Sequence, residues 1–466
     1  MENTQLWAAF STLNKTELRE LDRFVRSPFF NRKDHVTALF EYLRDCLEAR
    51  QTPDSALAFR AAYPGAGAFD DQKMRLANSH LLAVLEQYWL HIEKFADDAK
   101  TRLELAAIYR RRNLPKHARI TLREAREAHA QLPWRDAAFL DKQHDLELER
   151  FQLESAAKRY EEFNLQAISD WLDRGFIARK LRHSCLALSH QTVFKTNYDF
   201  GLLAGVSAFV EQENLAQHPA IGLYYHACKF LNDPAAEDHF FAFRALLSEY
   251  AEVFPPDEQR TLYLLAINFG VKKTNTASNP TWDRANFELY REALTRDLLL
   301  DNGVLSHFAY NNIVIAALRL GETAWAEDFI HRYKPALERK YRESTFSMNM
   351  ARMAYLKKDY HTALIHLQRA DYRDFIHSVN AKILQMKIFF ETGESDLLES
   401  HLDSMQHYIR RQRAVGYHRV NCLNIVRYTR ALLRCNRRDM GEAGALRRQI
   451  EQEPVLTEKE WLLARL

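Results

Sequence analysis

Between Asp403 and Asp439 the chain carries nine arginines and no acidic residue. Beyond Gly416 the apolar residues Cys422, Ile425, Val426, Leu432 and Leu433 recur at helical spacing and mark a buried face. Arg419, Arg427, Arg430 and Arg434 then gather on another side of the same helix, with Tyr417 and Tyr428 among them. Guanidinium groups are planar, always charged, and bind carboxylate or phosphate in pairs of parallel hydrogen bonds. The chemistry such a stripe offers is anion binding, to an acidic protein segment or to a nucleic-acid backbone. The tyrosines add a surface for stacked bases or for packing against the guanidiniums. The same pattern also fits a solvated face, or pairing within the chain with an acidic helix such as the one around Asp396 and Glu399.

Other chemistry lacks its signatures. His183-x-Cys185 with His190, and Asp374-x-x-His377, are the nearest approaches to ligand spacing among 19 histidines. Neither supplies the three or four converging ligands that a zinc or iron site requires, so no metal is expected. Phosphate-cradling loops of the G-x-x-x-x-G-K or G-x-G-x-x-G type do not occur, and Gly65-Ala66-Gly67 reads as a turn. Gly205-Val206-Ser207-Ala208-Phe209 lacks the second glycine of a nucleophile elbow. The five cysteines are scattered, the closest pair being Cys422 and Cys435, and read as reduced, core-filling thiols. These observations point away from an enzyme and from any cofactor.

The elements that must position the arginines are helices. Only 13 Gly and 12 Pro occur in 466 residues, against typical usage of about 7% and about 5%. Sandwiches, propellers and doubly wound sheets need many more turn residues that accept positive φ. The expected class is all-α. Hydrophobic content of 47% and a net charge of +3 suit an ordinary globular chain with ample core. Apolar runs such as Leu81–Leu85 and Ile313–Leu318 are far below the roughly 18 residues that span a bilayer. The start, Met-Glu-Asn-Thr-Gln-Leu-Trp, lacks a signal-peptide pattern, so a cytoplasmic protein with no membrane contact is expected.

Residues 1–96 read as an N-terminal helical cap, with helices expected from Asn31, from Thr52-Pro53-Asp54-Ser55 and from Asp70-Asp71. Residues 97–270 read as irregular helical hairpins, 271–282 as a polar loop or hinge, and 283–466 as more regular hairpins. Three turns in the last region share one shape: Leu320-Gly321-Glu322, Lys358-Asp359-Tyr360 and Thr392-Gly393-Glu394. They are followed by Ala326, Ala363 and Leu398, at spacings of about 36 residues. With Ala351-x-x-Ala354-Tyr355, Ala363, Leu367 and Ala370, and the earlier Leu105-Ala106-x-x-Tyr109, Ala118, Leu122 and Ala125, this resembles the tetratricopeptide repeat.

The resemblance implies an α-α superhelix whose inner wall binds a peptide or protein. Asn312 and Asn349 lie two positions before the helix-crossing residues Val314 and Ala351, where that family presents asparagine to the backbone of an extended peptide. Arg319, Arg352 and Lys387 fall at other groove-facing positions of the same pattern. The expected function is a non-catalytic scaffold or adaptor holding a protein or peptide. The alternative is a nucleic-acid-binding or regulatory helical protein that uses the arginine stripe.

Overall fold

Scarcity of glycine and proline leaves long stretches free to wind into helix, and capping residues decide where each one starts. The computed structural model describes residues 1–155, 162–194, 196–276, 279–368, 375–411, 416–436 and 438–466, with side-chain detail in all but 192–194, 275–276, 376–377 and 416–418 of these. Among them it is all-α, with 23 α-helices and one two-residue hairpin of strand. By packing the chain divides into two units, Met1–Lys180 and Leu181–Leu466.

The first unit opens with α1 (Gln5–Phe10), α2 (Lys15–Val25), α3 (Asp34–Glu48), α4 (Ser55–Ala62) and α5 (Asp71–Ala96). Leu21, Val36, Phe40, Leu43, Ala77, Leu81 and Leu85 form its sealed core. Asn14 and Glu17 close a reciprocal capping box on α2. The cap of α4 is Asp54, whose carboxylate accepts from the Ala56 and Leu57 amides, so Thr52-Pro53 lies outside the helix rather than starting it. Next come α6 (Asp98–Arg111), α7 (Pro115–Ala130) and α8 (Ala137–Ser155), packed in succession, and α9 (Leu165–Phe194), within which the division between units falls. At residues 96–97 one helix ends and the next begins: α5 stops at Ala96, and Asp97 caps α6 and pairs with Lys142 of α8.

The second unit continues with α10 (Leu203–Gln212), α11 (Pro219–Asn232), α12 (Glu237–Tyr250), α13 (Pro256–Thr276) and α14 (Pro280–Thr295). The expected polar loop at 271–282 is therefore mostly helix. The Lys273 ammonium lies over the rings of Phe269 and Trp282 and pairs with Glu237 at 2.5 Å, so its charge serves an anchored helix end. Residues 277–278 lie outside the described residues, and beyond them Asn279 caps α14 with Pro280 in its first position.

After strands β1 (Leu300–Asp301) and β2 (Val304–Leu305) come α15 (His307–Arg319), α16 (Thr323–Arg332), α17 (Arg342–Leu356), α18 (Tyr360–Gln368), α19 (Phe375–Glu391) and α20 (Ser395–Arg411). The chain ends with α21 (Gly416–Arg434), α22 (Met440–Gln452) and α23 (Lys459–Leu463). Each of α15/α16, α17/α18 and α19/α20 packs as a pair, and α17 also packs on both α15 and α19. The three connecting turns share one geometry. Gly321, Lys358 and Gly393 take positive φ, and the next amide reaches back five residues, to Ala317, Ala354 and Phe389. Five residues after each left-handed position stands Ala326, Ala363 or Leu398, all without exposed surface. The α6/α7 turn repeats the arrangement with Asn113, Leu114 and Ala118.

No described helix is long and apolar enough to cross a membrane.

Candidate anion-binding site

The residues expected to face a peptide groove are committed elsewhere. Asn349 has no exposed surface. Its amide donates to Asn311 Oδ1 at 2.7 Å and to the Thr345 carbonyl at 2.8 Å. Its oxygen accepts from Arg352 Nη1 at 2.8 Å, and the same nitrogen reaches Asn311 Oδ1 at 3.2 Å. Asn311, Asn349 and Arg352 thus form a polar clasp between α15 and α17, and the expectation of a peptide-facing amide at 349 does not hold. The reason is that α17 is flanked on both sides, so a position that would be open on a terminal helix is enclosed.

Asn312 is half-buried and takes no part in the clasp that Asn311, Asn349 and Arg352 form. Arg319 keeps part of its surface but reaches Asp283 Oδ1 at 3.4 Å and the Thr274 carbonyl at 3.5 Å. Lys387 pairs with Glu458 at 2.8 Å and lies over the rings of Tyr355 and Trp461. Beside it, burial alone would raise the Glu391 carboxyl, but Trp461, Tyr355, Tyr360 and Arg465 all donate to it and hold it down to about 2. These contacts dock α23; they do not build a groove.

The arginine stripe does build one. On α20, Leu398, Leu402, Met405 and Ile409 are buried at spacings of four, three and four, which leaves Gln406 and Arg410 on the flank. On α21, Cys422, Ile425, Val426, Thr429 and Leu432 turn into the same core. Packing α20 against α21 leaves a cleft of about 450 Å3, lined by Gln406, Arg410, Leu423, Asn424, Arg427, Arg430, Ala431 and Arg434. Three of the four expected stripe arginines enter it, and Arg419, also exposed, does not. The side chain of Tyr417 lies outside the described residues.

Internal partners hold the centre of the cleft. Arg430 pairs with Asp403 and donates to Gln406 Oε1 at 2.8 Å. The Arg427 guanidinium sits 4.8 Å from the centre of the Tyr428 ring. That ring is buried, and its hydroxyl donates to Glu453 Oε2 at 3.1 Å, which with burial pushes the phenol up. Tyr428 is therefore a platform for a guanidinium and is closed to stacked bases. Among the described residues Arg410 and Arg434 have no hydrogen-bond or ion-pair partner. Asn424 and Asn421 bind the Val455 carbonyl and the Thr457 amide, so the chain leading to α23 is tied along α21.

Sequence reasoning missed Arg410 as a member of the site. Its signals were its membership of the acid-free arginine segment and its place one residue past buried Ile409 on the neighbouring helix. Of the spaced histidines, His183 is exposed while Cys185 is buried, and His190 bonds the Tyr198 hydroxyl at 2.9 Å; Asp374 and the His377 side chain lie outside the described residues. Among the described residues no three His, Cys, Asp or Glu side chains converge as metal ligands would. Set against protein-family models, curated proteins and solved structures, the chain matches none of them.

Proposed function

We propose that the protein is a non-catalytic scaffold that holds a partner protein through an acidic segment seated between α20 and α21. The observation that carries this reading is the charge balance of the cleft: four guanidiniums line it, and among the described residues one carboxylate, Asp403, pairs with them. Leu423 and Ala431 give it an apolar floor between the charges, which suits the methylenes of an amino-acid side chain. The enclosed ring of Tyr428 offers no face for a nucleobase. The recurring turn geometry and enclosed small residues of α15 to α20 support a tetratricopeptide-like stack, an architecture that serves protein binding. A cytoplasmic setting, where its free thiols stay reduced, belongs to the same proposal.

A second reading has its own observation. Arg411, Arg419 and Arg438 are exposed and extend the basic surface beyond the cleft, as a nucleic-acid backbone would require. A labelled polyglutamate peptide and a single-stranded oligonucleotide of equal charge, titrated at rising salt, separate the two. The expected result is peptide binding that weakens with salt and disappears in Arg427→Glu/Arg430→Glu/Arg434→Glu, with the oligonucleotide bound no more tightly. Tighter oligonucleotide binding, lost in the same variant, establishes the second reading. Binding indifferent to salt and to those charges eliminates both.

A further inference from the structure

Building on the acidic-partner reading, we infer that the group this cleft receives is a phosphate monoester on a serine or threonine side chain of the partner, in preference to a carboxylate. Among the described residues four guanidiniums meet one ion-paired carboxylate, Asp403, which leaves a positive excess larger than a single carboxylate ligand would neutralise. A phosphate monoester brings a charge of about −1.5 to −2 at neutral pH and three acceptor oxygens. Arg427, Arg430 and Arg434 follow one another along a face of α21 about 10 Å long. Arg410 approaches from α20. Donors thus come from two helices, as three oxygens pointing in different directions require.

The cleft is also prepared in advance. Arg430 is oriented by Asp403 and Gln406, and Arg427 by the Tyr428 ring, itself fixed through Glu453. Two guanidiniums already in place spare the ligand the cost of ordering long side chains. Arg410 and Arg434, exposed and without a partner among the described residues, are left to bind the incoming group. Asp403 has a definite role here: it holds Arg430 while repelling any anion that enters. An incoming dianion outcompetes it more readily than a monoanion does.

The test uses the full chain and three labelled Gly/Ser peptides of equal length, carrying at one central position phosphoserine, glutamate or serine. The expected order is phosphoserine about tenfold tighter than glutamate, with serine unbound. Arg410→Glu/Arg434→Glu abolishes phosphopeptide binding with an unchanged melting curve. Asp403→Asn, which keeps an acceptor for Arg430, tightens it several-fold. Lowering the pH from about 7.5 to about 5.5 weakens the phosphopeptide as its second proton returns near pH 6, and leaves the glutamate peptide unaffected. Glutamate binding as tightly as phosphoserine overturns the inference and leaves the acidic-partner reading standing. If neither peptide binds, both fail. Displacement of the phosphopeptide by inorganic phosphate at the peptide's own concentration overturns the partner-borne source and assigns the site to free phosphate.

Discussion

Two clefts of nearly equal size, each lined by four arginines, differ in how many carboxylates answer those arginines. The one between α7 and α8 measures about 480 Å3 and is lined by Arg119, Arg123, Arg126 and Arg150 over Leu122 and Leu153. Carboxylates answer three of its arginines: Glu147 takes Arg126 at 3.0 Å and Arg150 at 3.6 Å, Glu154 takes Arg150 at 3.0 Å, and Glu127 lies 3.7 Å from Arg123. Among the described residues the arginines of the cleft between α20 and α21 have Asp403 as their one ion-pair partner. Arginine count is therefore a poor guide to binding. Where acids interleave with the arginines, the charges join helices; where they are missing, the charges are left for something else.

The sharpest way to break this contrast is to remove the buried acid that pairs with two arginines of the balanced cleft. Glu147 is nearly without solvent and also accepts from Asn164 at 2.7 Å, so Glu147→Gln leaves two guanidiniums facing a neutral amide. The expected loss is about 2–3 kcal/mol of stability in denaturant unfolding. A loss below about 0.5 kcal/mol would mean that the pairs in α7/α8 are as idle as ordinary surface pairs.

Acid gives a second handle on the same region. Burial, with help from Lys142 and Arg135, lowers His129 of α7 to about 4, against about 6.5 in an unfolded chain. Between those values the unfolded chain binds the proton first, so stability falls as pH drops from about 6.5 to about 4 and the effect levels off below. The expected drop is on the order of 2 kcal/mol, read from the protection of α7 amides at each pH, and His129→Phe flattens the slope whatever it does to absolute stability. An unchanged slope in that variant would assign the acid sensitivity to other groups.

Much of this was readable beforehand, and the omissions have physical causes. Helical hairpins, the shared turns before Ala326, Ala363 and Leu398, and the split of α21 into a buried and a basic face all follow from local periodicity. Burial of Asn349 does not, because α17 packs against helices on more than one side and period alone cannot say which polar positions become enclosed. The helix at 271–276 depends on Glu237, some 36 residues away, to anchor Lys273. Arg410 joins the cleft only because α20 lies beside α21. Long-range pairing, invisible to a sliding window, decided each of these.

Charge reversal in the open cleft has a smaller effect on stability and a complete one on binding. Arg410→Glu/Arg434→Glu changes folding free energy by no more than about 0.5 kcal/mol, since both side chains are exposed and neither has an internal partner among the described residues. A loss above about 1 kcal/mol would show that these arginines are structural after all and erase the distinction between the clefts.

The smallest effect is expected at Arg119, the one lining arginine of the balanced cleft that has no partner among the described residues. It is exposed like Arg434, and if unmatched charge by itself sufficed for recognition, Arg119→Glu would weaken capture of an anionic peptide as Arg434→Glu does. Three carboxylates nearby repel the same peptide, so the variant should leave both binding and stability unchanged within about 0.5 kcal/mol. Equal losses at the two positions would make recognition a property of scattered basic side chains, not of a cleft emptied of acids.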